Sequence, residues 1–106
     1  MKKMFGKSFC IIAAVCLFFA PSAWGETIKV GALLAVTGPS SFLGGPEANT
    51  LEMLVQEINA KGGINGNKIE LFLKDTAGNP EKAISLAKQL LEEDKVVAVL
   101  GPSSSG

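Results

Sequence analysis

Histidine, tyrosine and arginine are missing from all 106 residues, and both cysteines and the single tryptophan fall within the first 25. From Glu26 onward there is therefore no Cys, His, Trp, Tyr or Arg. Without Cys or His, neither a zinc site nor a Ser-His or Cys-His nucleophile pair can be assembled from these residues. Without thiols there is no disulfide framework, so folding must rest on a packed core. Positive charge is also in short supply. Residues 26–106 carry seven lysines against ten acids, a balance that argues against nucleic acid as a partner.

What is present opens with an export address. Lys2, Lys3 and Lys7 form a basic start, Phe9 to Ala20 is an unbroken apolar run, and Ala23-Trp24-Gly25 is a small-x-small cleavage site before Glu26. The run is near a dozen residues, short of the ~20 needed to span a bilayer. A lipid anchor needs a small residue just before an acceptor cysteine, whereas Cys10 follows Phe9 and Cys16 follows Val15. Residues 1–25 are thus expected to be a signal peptide cleaved after Gly25, leaving 26–106 outside the cytoplasm.

Within that remainder Ile28 to Leu34 (IKVGALL) reads as an apolar strand, followed by a Gly, Pro and Ser-rich loop from Ala35 to Gly45. Ala48, Leu51, Leu54, Val55 and Ile58 then recur at the spacing of one helical face, with Asn49, Glu52, Gln56, Glu57 and Asn59 turned away. Pro46 suits the first turn of this helix, Glu47 complements its dipole, and Gly62-Gly63 ends it. Asn65-Gly66 is a turn signal. Ile69 to Lys74 reads as a second strand whose charged Glu70 and Lys74 mark a sheet edge. Asn79 caps a second helix with Pro80 in its first position, and Ala83, Ile84, Ala87, Leu90 and Leu91 form its buried stripe. Glu92, Glu93 and Asp94 read as a solvated helix end. Val96 to Leu100 is a continuous apolar run, expected to be a strand buried on both faces.

The order β-α-β-α-β defines an α/β fold with a parallel sheet and flanking helices. With the charged strand at the edge the spatial order is 2-1-3, and the chain reverses direction between strands one and three. Open parallel sheets bind ligands outside the carboxyl ends of their strands at such a point. The loops meeting there are Ala35 to Gly45 and Gly101 to Gly106. A sheet of three strands in so short a chain buries only ~60 to 65% of its unfolded surface. The closing Gly-Pro-Ser-Ser-Ser-Gly reads as a loop leaving a strand, so residues 26–106 are expected to be the N-terminal part of a larger domain.

Neither loop carries a nucleotide fingerprint. Gly38, Gly44 and Gly45 do not space as G-x-G-x-x-G, and there is no G-K-[ST]. Asp75, at the end of the second strand, then reads as a loop or cap residue rather than a ribose ligand. The hydroxyls of Ser103, Ser104 and Ser105 suit a carboxylate, which accepts several hydrogen bonds without a formal cation. The same serines equally suit the cap of a following helix. A serine nucleophile has no base here and no G-x-S-x-G elbow.

Taken together, the runs IKVGALLAVTGPSSFLG, INAKGGINGNKIEL, Asn79-Pro80 and DKVVAVLGPSSSG resemble, in order and spacing, the periplasmic substrate-binding proteins of branched-chain amino acid ABC transporters. The resemblance covers residues 26–106. It implies a two-lobed periplasmic protein that closes on its ligand by a hinge, catalyses no reaction, uses no cofactor or metal, and delivers the ligand to an inner-membrane permease and its ATPase. Residues 26–106 would be the start of lobe I. The family's Gly-Pro-x-x-Ser serine, which helps hold the ligand carboxylate, falls on Ser105. The pocket-wall side chain before a glycine of the first loop falls on Leu43, where some relatives carry an aromatic residue. The groups that grip the ammonium, and the whole second lobe, would lie beyond Gly106.

The resemblance makes a branched-chain or other aliphatic amino acid the expected ligand; the same family includes binders of amides, urea and aromatic acids. Two other readings stay open. An exported α/β enzyme using Asp75 or Ser105 would need a His, Cys or metal-ligand set downstream. A ligand-sensing receptor domain would need a transmembrane helix after the second lobe.

Overall fold

The structure is a computed structural model that describes residues 25–105. The signal peptide expected over 1–25 therefore lies, apart from Gly25, outside the described residues. Three strands and two helices alternate: β1 (Ile28–Leu34), α1 (Ser41–Ala60), β2 (Ile69–Asp75), α2 (Pro80–Glu92) and β3 (Ala98–Leu100). The sheet is parallel with order β2-β1-β3, the arrangement expected from the charged second strand. β1 pairs with β2 from Ile28↔Ile69 to Leu34↔Asp75, and with β3 from Val30↔Ala98 to Ala32↔Leu100.

Alternation along β1 divides the core between the two helices. Ala32 and Leu34 meet Ala48 of α1, backed by Leu51, Leu71 and Leu73. Leu33 points the other way, onto Leu90 and Val96, with Phe72, Leu86 and Ala87 around them. One helix thus covers each face of β1, as right-handed crossovers in a 2-1-3 order require. Leu90 is fully buried. The stripe of α2 runs through Ala83, Leu86, Ala87 and Leu90, whereas Ile84 and Leu91, expected in it, are 60% and 58% exposed. They sit one residue off the 83-86/87-90 line and miss the sheet.

Local signals account for the connections. Asn79 Oδ1 accepts the amides of Glu81 and Lys82 at 2.9 and 3.1 Å, with Pro80 where a missing N–H costs nothing. At the far end of α1 the Gly62 amide bonds the Asn59 carbonyl and the Gly63 amide the Ile58 carbonyl, a Schellman closure. Asn65 and Gly66 both have positive φ, and Ile64 and Asn67 exchange two backbone hydrogen bonds across them, the geometry of a type I′ turn.

Four expectations are corrected. First, α1 starts at Ser41, not near Pro46, so Gly44, Gly45 and Pro46 lie inside it. Gly44 permits this, because a Cβ there would lie 2.1 Å from the Ala35 carbonyl oxygen. Only a glycine lets the first helical turn press on the end of β1. Pro46 forfeits a single bond, to the exposed end of the helix. Glu47 is consequently not in the first turn and has another partner. Second, β3 is short and uncovered: Val99 and Leu100 are exposed, as is Val97 just before it, because side chains leave a strand toward the faces of the sheet and, among the described residues, the two helices centre their cores on β1. Third, Asn59 does not face away. Its amide group brackets Ile69, donating to the carbonyl and accepting from the amide, each at 2.8 Å, and so ties the end of α1 to the start of β2. Fourth, Asp94 is not simply solvated, since it is half-buried and paired with Lys74 of β2 at 3.7 Å.

Candidate functional site

All three strands end on one side of the sheet, and the chain leaving β1 is held there from both flanks. Its first three amides, those of Ala35, Val36 and Thr37, each donate to a side chain from a neighbouring strand's end. Ser103, beyond β3, accepts from the Ala35 N–H at 3.1 Å. Asp75, the last residue of β2, accepts from Val36 and Thr37 through Oδ1 at 3.0 and 3.2 Å. The same Oδ1 takes the Ala77 amide at 2.9 Å, a turn of Asx type, while Oδ2 takes the Thr37 hydroxyl at 2.6 Å.

Donors converge on both carboxylate oxygens, so the ionised form of Asp75 is favoured. The Thr37 hydroxyl and then the Ala77 amide are the main causes, the Thr37 and Val36 amides add to them, and partial burial opposes. The net effect lowers the pKa from 3.8 to about 2. This carboxylate has the role of a loop residue, as read from the sequence: its acceptor capacity is engaged by the protein's own loops.

The triple serine divides along its length. Ser103 is half-buried, and besides accepting from Ala35 its hydroxyl donates to Glu47 Oε2 of α1 at 2.7 Å. Ser104 is half-buried and Ser105 exposed, and neither hydroxyl bonds a protein group among the described residues. Leu43 sits in the first turn of α1 with 40% of its surface exposed, and its neighbour Phe42 is 73% exposed. Of the four residues singled out from the sequence, the three serines therefore lie on the segment after β3 and Leu43 in the first turn of α1. Among the described residues only Ser103 is joined by a hydrogen bond to the connection that leaves β1.

Two participants escaped sequence reading. Glu47 is 56 residues from Ser103, and no local pattern announces such a bond. Thr37 looked like one more polar loop residue, although a strand-end acid on the neighbouring strand is the kind of partner that recruits it.

A groove of about 460 Å³ opens between α1 and the ends of β1 and β3, lined by Leu34, Thr50, Leu51, Leu54, Leu100 and Glu47 among others. None of the four expected residues lines it. It is a mainly apolar strip beside the uncovered strand, with Glu47 and Thr50 its polar side chains. Among the described residues no group of three His, Cys, Asp or Glu side chains is placed to hold a metal, and no helix is long and apolar enough to cross a membrane.

The sheet order, the reversal between β1 and β3 and the clamped loops define an α/β unit of the doubly wound type. The chain belongs to the periplasmic binding protein family, whose model matches residues 27–106. Leu/Ile/Val-binding protein homolog 7 of Brucella suis is 40% identical over 95 residues, covering 90% of this chain and 23% of that protein. The Leu/Ile/Val-binding protein of Escherichia coli K12 is 35% identical over 91 residues, covering 86% of this chain and 24% of that protein. Among solved structures, the branched-chain amino acid transporter substrate binding protein LivJ of Streptococcus pneumoniae, in complex with isoleucine, superposes with a TM-score of 0.70. It is 38% identical, over 72% of this chain and 22% of that one. A solute binding protein of an ABC transporter from Rhodopseudomonas palustris, in complex with 3,4-dihydroxybenzoic acid, superposes with a TM-score of 0.62 at 32% identity, over 69% of this chain and 20% of that one. The chain spans about a quarter of the length of the curated relatives it matches.

Proposed function

We propose that residues 26–106 form the beginning of lobe I of a periplasmic solute-binding protein that captures branched-chain or other aliphatic amino acids. The complete protein hands them to an inner-membrane ABC permease driven by its ATPase, without cofactor or catalysis. Residues 1–25 are removed on export. The observation that carries this reading is the likeness of β1 through β3 to an isoleucine-bound protein, with two hydroxyls beyond the carboxyl end of β3 that bond no protein group among the described residues. Ser105 and Ser104 donate to the ligand carboxylate, and Leu43 forms part of the wall around its side chain. The uncovered surface fits a lobe continued by further chain, since among the described residues β3 has a strand on one edge only, and Val97, Val99, Leu100 and Leu54 are exposed.

A specific observation favours one alternative. A relative of similar identity holds an aromatic acid, whose carboxylate presents the same acceptors to Ser104 and Ser105. Calorimetric titration of the complete, signal-processed protein with leucine, isoleucine, valine and 3,4-dihydroxybenzoate separates the two. Saturable binding of the aliphatic amino acids alone is expected. Binding of the aromatic acid alone transfers the assignment to that class, and binding of neither kind sinks both.

A further inference from the structure

Resting on that proposed function, we infer that Ser103 is a positioning residue that never touches the ligand: it locks the loop after β3 onto the β1–α1 junction and so sets where Ser104 and Ser105 stand. A serine hydroxyl has one proton to donate and two lone pairs with which to accept. The proton of Ser103 goes to Glu47 Oε2 at 2.7 Å, and one lone pair takes the Ala35 amide at 3.1 Å. A ligand carboxylate only accepts, so it has no use for the lone pair left over. Within Ser103-Ser104-Ser105, the hydroxyl donors for a carboxylate must therefore come from the second and third positions.

The two bonds of Ser103 span three elements: the loop beyond β3, the backbone leaving β1, and α1 in its second turn. Ala35 is also the residue against which Gly44 presses, and Leu43 precedes Gly44. One hydroxyl thereby references the serine loop to the same point of backbone that seats the first turn of α1. Bonds to an ionised acceptor are among the stronger ones. A displacement of about 1 Å at Ser105 is enough to spoil hydrogen bonding to a bound carboxylate, so loss of the lock is read directly as affinity.

The test is made on the complete protein, by leucine titration with thermal unfolding recorded in parallel. Ser103→Ala and Glu47→Ala are each expected to weaken leucine binding about tenfold, the loss that a charged hydrogen bond carries. The double variant is expected to be no worse than Ser103→Ala, which already removes the bond that Glu47→Ala removes. Ser103→Thr, which keeps the hydroxyl, and Glu47→Gln, which keeps an acceptor oxygen, are expected to restore binding to within about threefold of wild type. A role in bulk stability alone would lower the melting temperature in the alanine variants and leave the affinity of the folded fraction unchanged, which overturns the inference.

Glu47→Ala decides between positioning and direct contact. If Ser103 bonds the ligand itself, removing Glu47 frees its proton and binding tightens or stays the same, which also overturns the inference. Unchanged affinity in Ser103→Ala, or additive losses in the double variant, does so as well. Should Ser103→Ala fail to fold, Glu47→Ala and Ser103→Thr decide the matter in its place. Wild-type protein that binds no aliphatic amino acid brings down the proposed function and this inference with it. Wild-type binding that the Ser103 and Glu47 variants leave untouched brings down this inference alone.

Discussion

Asp75 holds Thr37 twice, taking its amide on Oδ1 at 3.2 Å and its hydroxyl on Oδ2 at 2.6 Å. The contact joins the end of β2 to the loop after β1, so the entrance to α1 is positioned by a carboxylate from the neighbouring strand.

With a pKa lowered from 3.8 to about 2 in the folded state, Asp75 contributes stability that is present above the unfolded-state value. That contribution is lost as the pH falls toward 2, because the unfolded chain takes up the proton first. Asp75→Asn is expected to be less stable than the parent near neutral pH and to show a flatter decline between pH 4 and 2. Urea unfolding followed by circular dichroism across that range checks it, and parallel curves for the two proteins would count against the assignment.

Gly44 and Gly45 are adjacent in sequence and opposite in tolerance. An alanine at 44 would drive its Cβ to 2.1 Å from the Ala35 oxygen, whereas at 45 nothing lies within 4 Å. Gly44→Ala is expected to cost roughly 3 kcal/mol as the helix is pushed off β1. Gly45→Ala is expected to stabilise by about 0.5 to 1 kcal/mol through lower backbone entropy in a helix. Melting temperatures of the two variants should therefore move in opposite directions.

Asn59 substitutes for a strand partner at Ile69. Asn59→Ala removes both bonds and is expected to cost about 1 to 2 kcal/mol. Asn59→Asp keeps the acceptor but sets a carboxylate against the Ile69 carbonyl, so it should be the more damaging change at pH 7 and recover at pH 3. Denaturation midpoints of the three proteins at the two pH values test the pattern.

Ser105→Ala in the complete protein is expected to weaken amino acid binding by about 1 to 3 kcal/mol if its hydroxyl meets a charged carboxylate. An unchanged dissociation constant would return Ser105 to a capping role. On the proposed function, residues 26–106 are only the beginning of lobe I, so alone they are expected to show no leucine affinity, and a measurable isotherm would refute that.

Elements whose stabilising contacts are close in sequence were legible. Asn79-Pro80, Gly62-Gly63 and Asn65-Gly66 state caps and turns within a few residues, and the charges of Glu70 and Lys74 identify the edge strand. From these the α/β class and the 2-1-3 order follow. The start of α1 was misread because Gly44, Gly45 and Pro46 look like loop residues until the Ala35 backbone is seen pressed against Gly44. Covering of β3 was overestimated because an apolar run states that a strand prefers burial and is silent on what buries it.

By itself, the sequence determined the alternation of strands and helices, the sheet order and the family, since periodicity and turn chemistry act over a few residues and the motifs recur as a set. Only the tertiary structure decided how the three serines divide. The bonds that Ser103 makes to Ala35 and Glu47, and those that Asp75 makes to Val36 and Thr37, cross between 38 and 68 residues of chain. Which donor meets which acceptor at such separations is settled by the packing of the strands, and no local pattern encodes it.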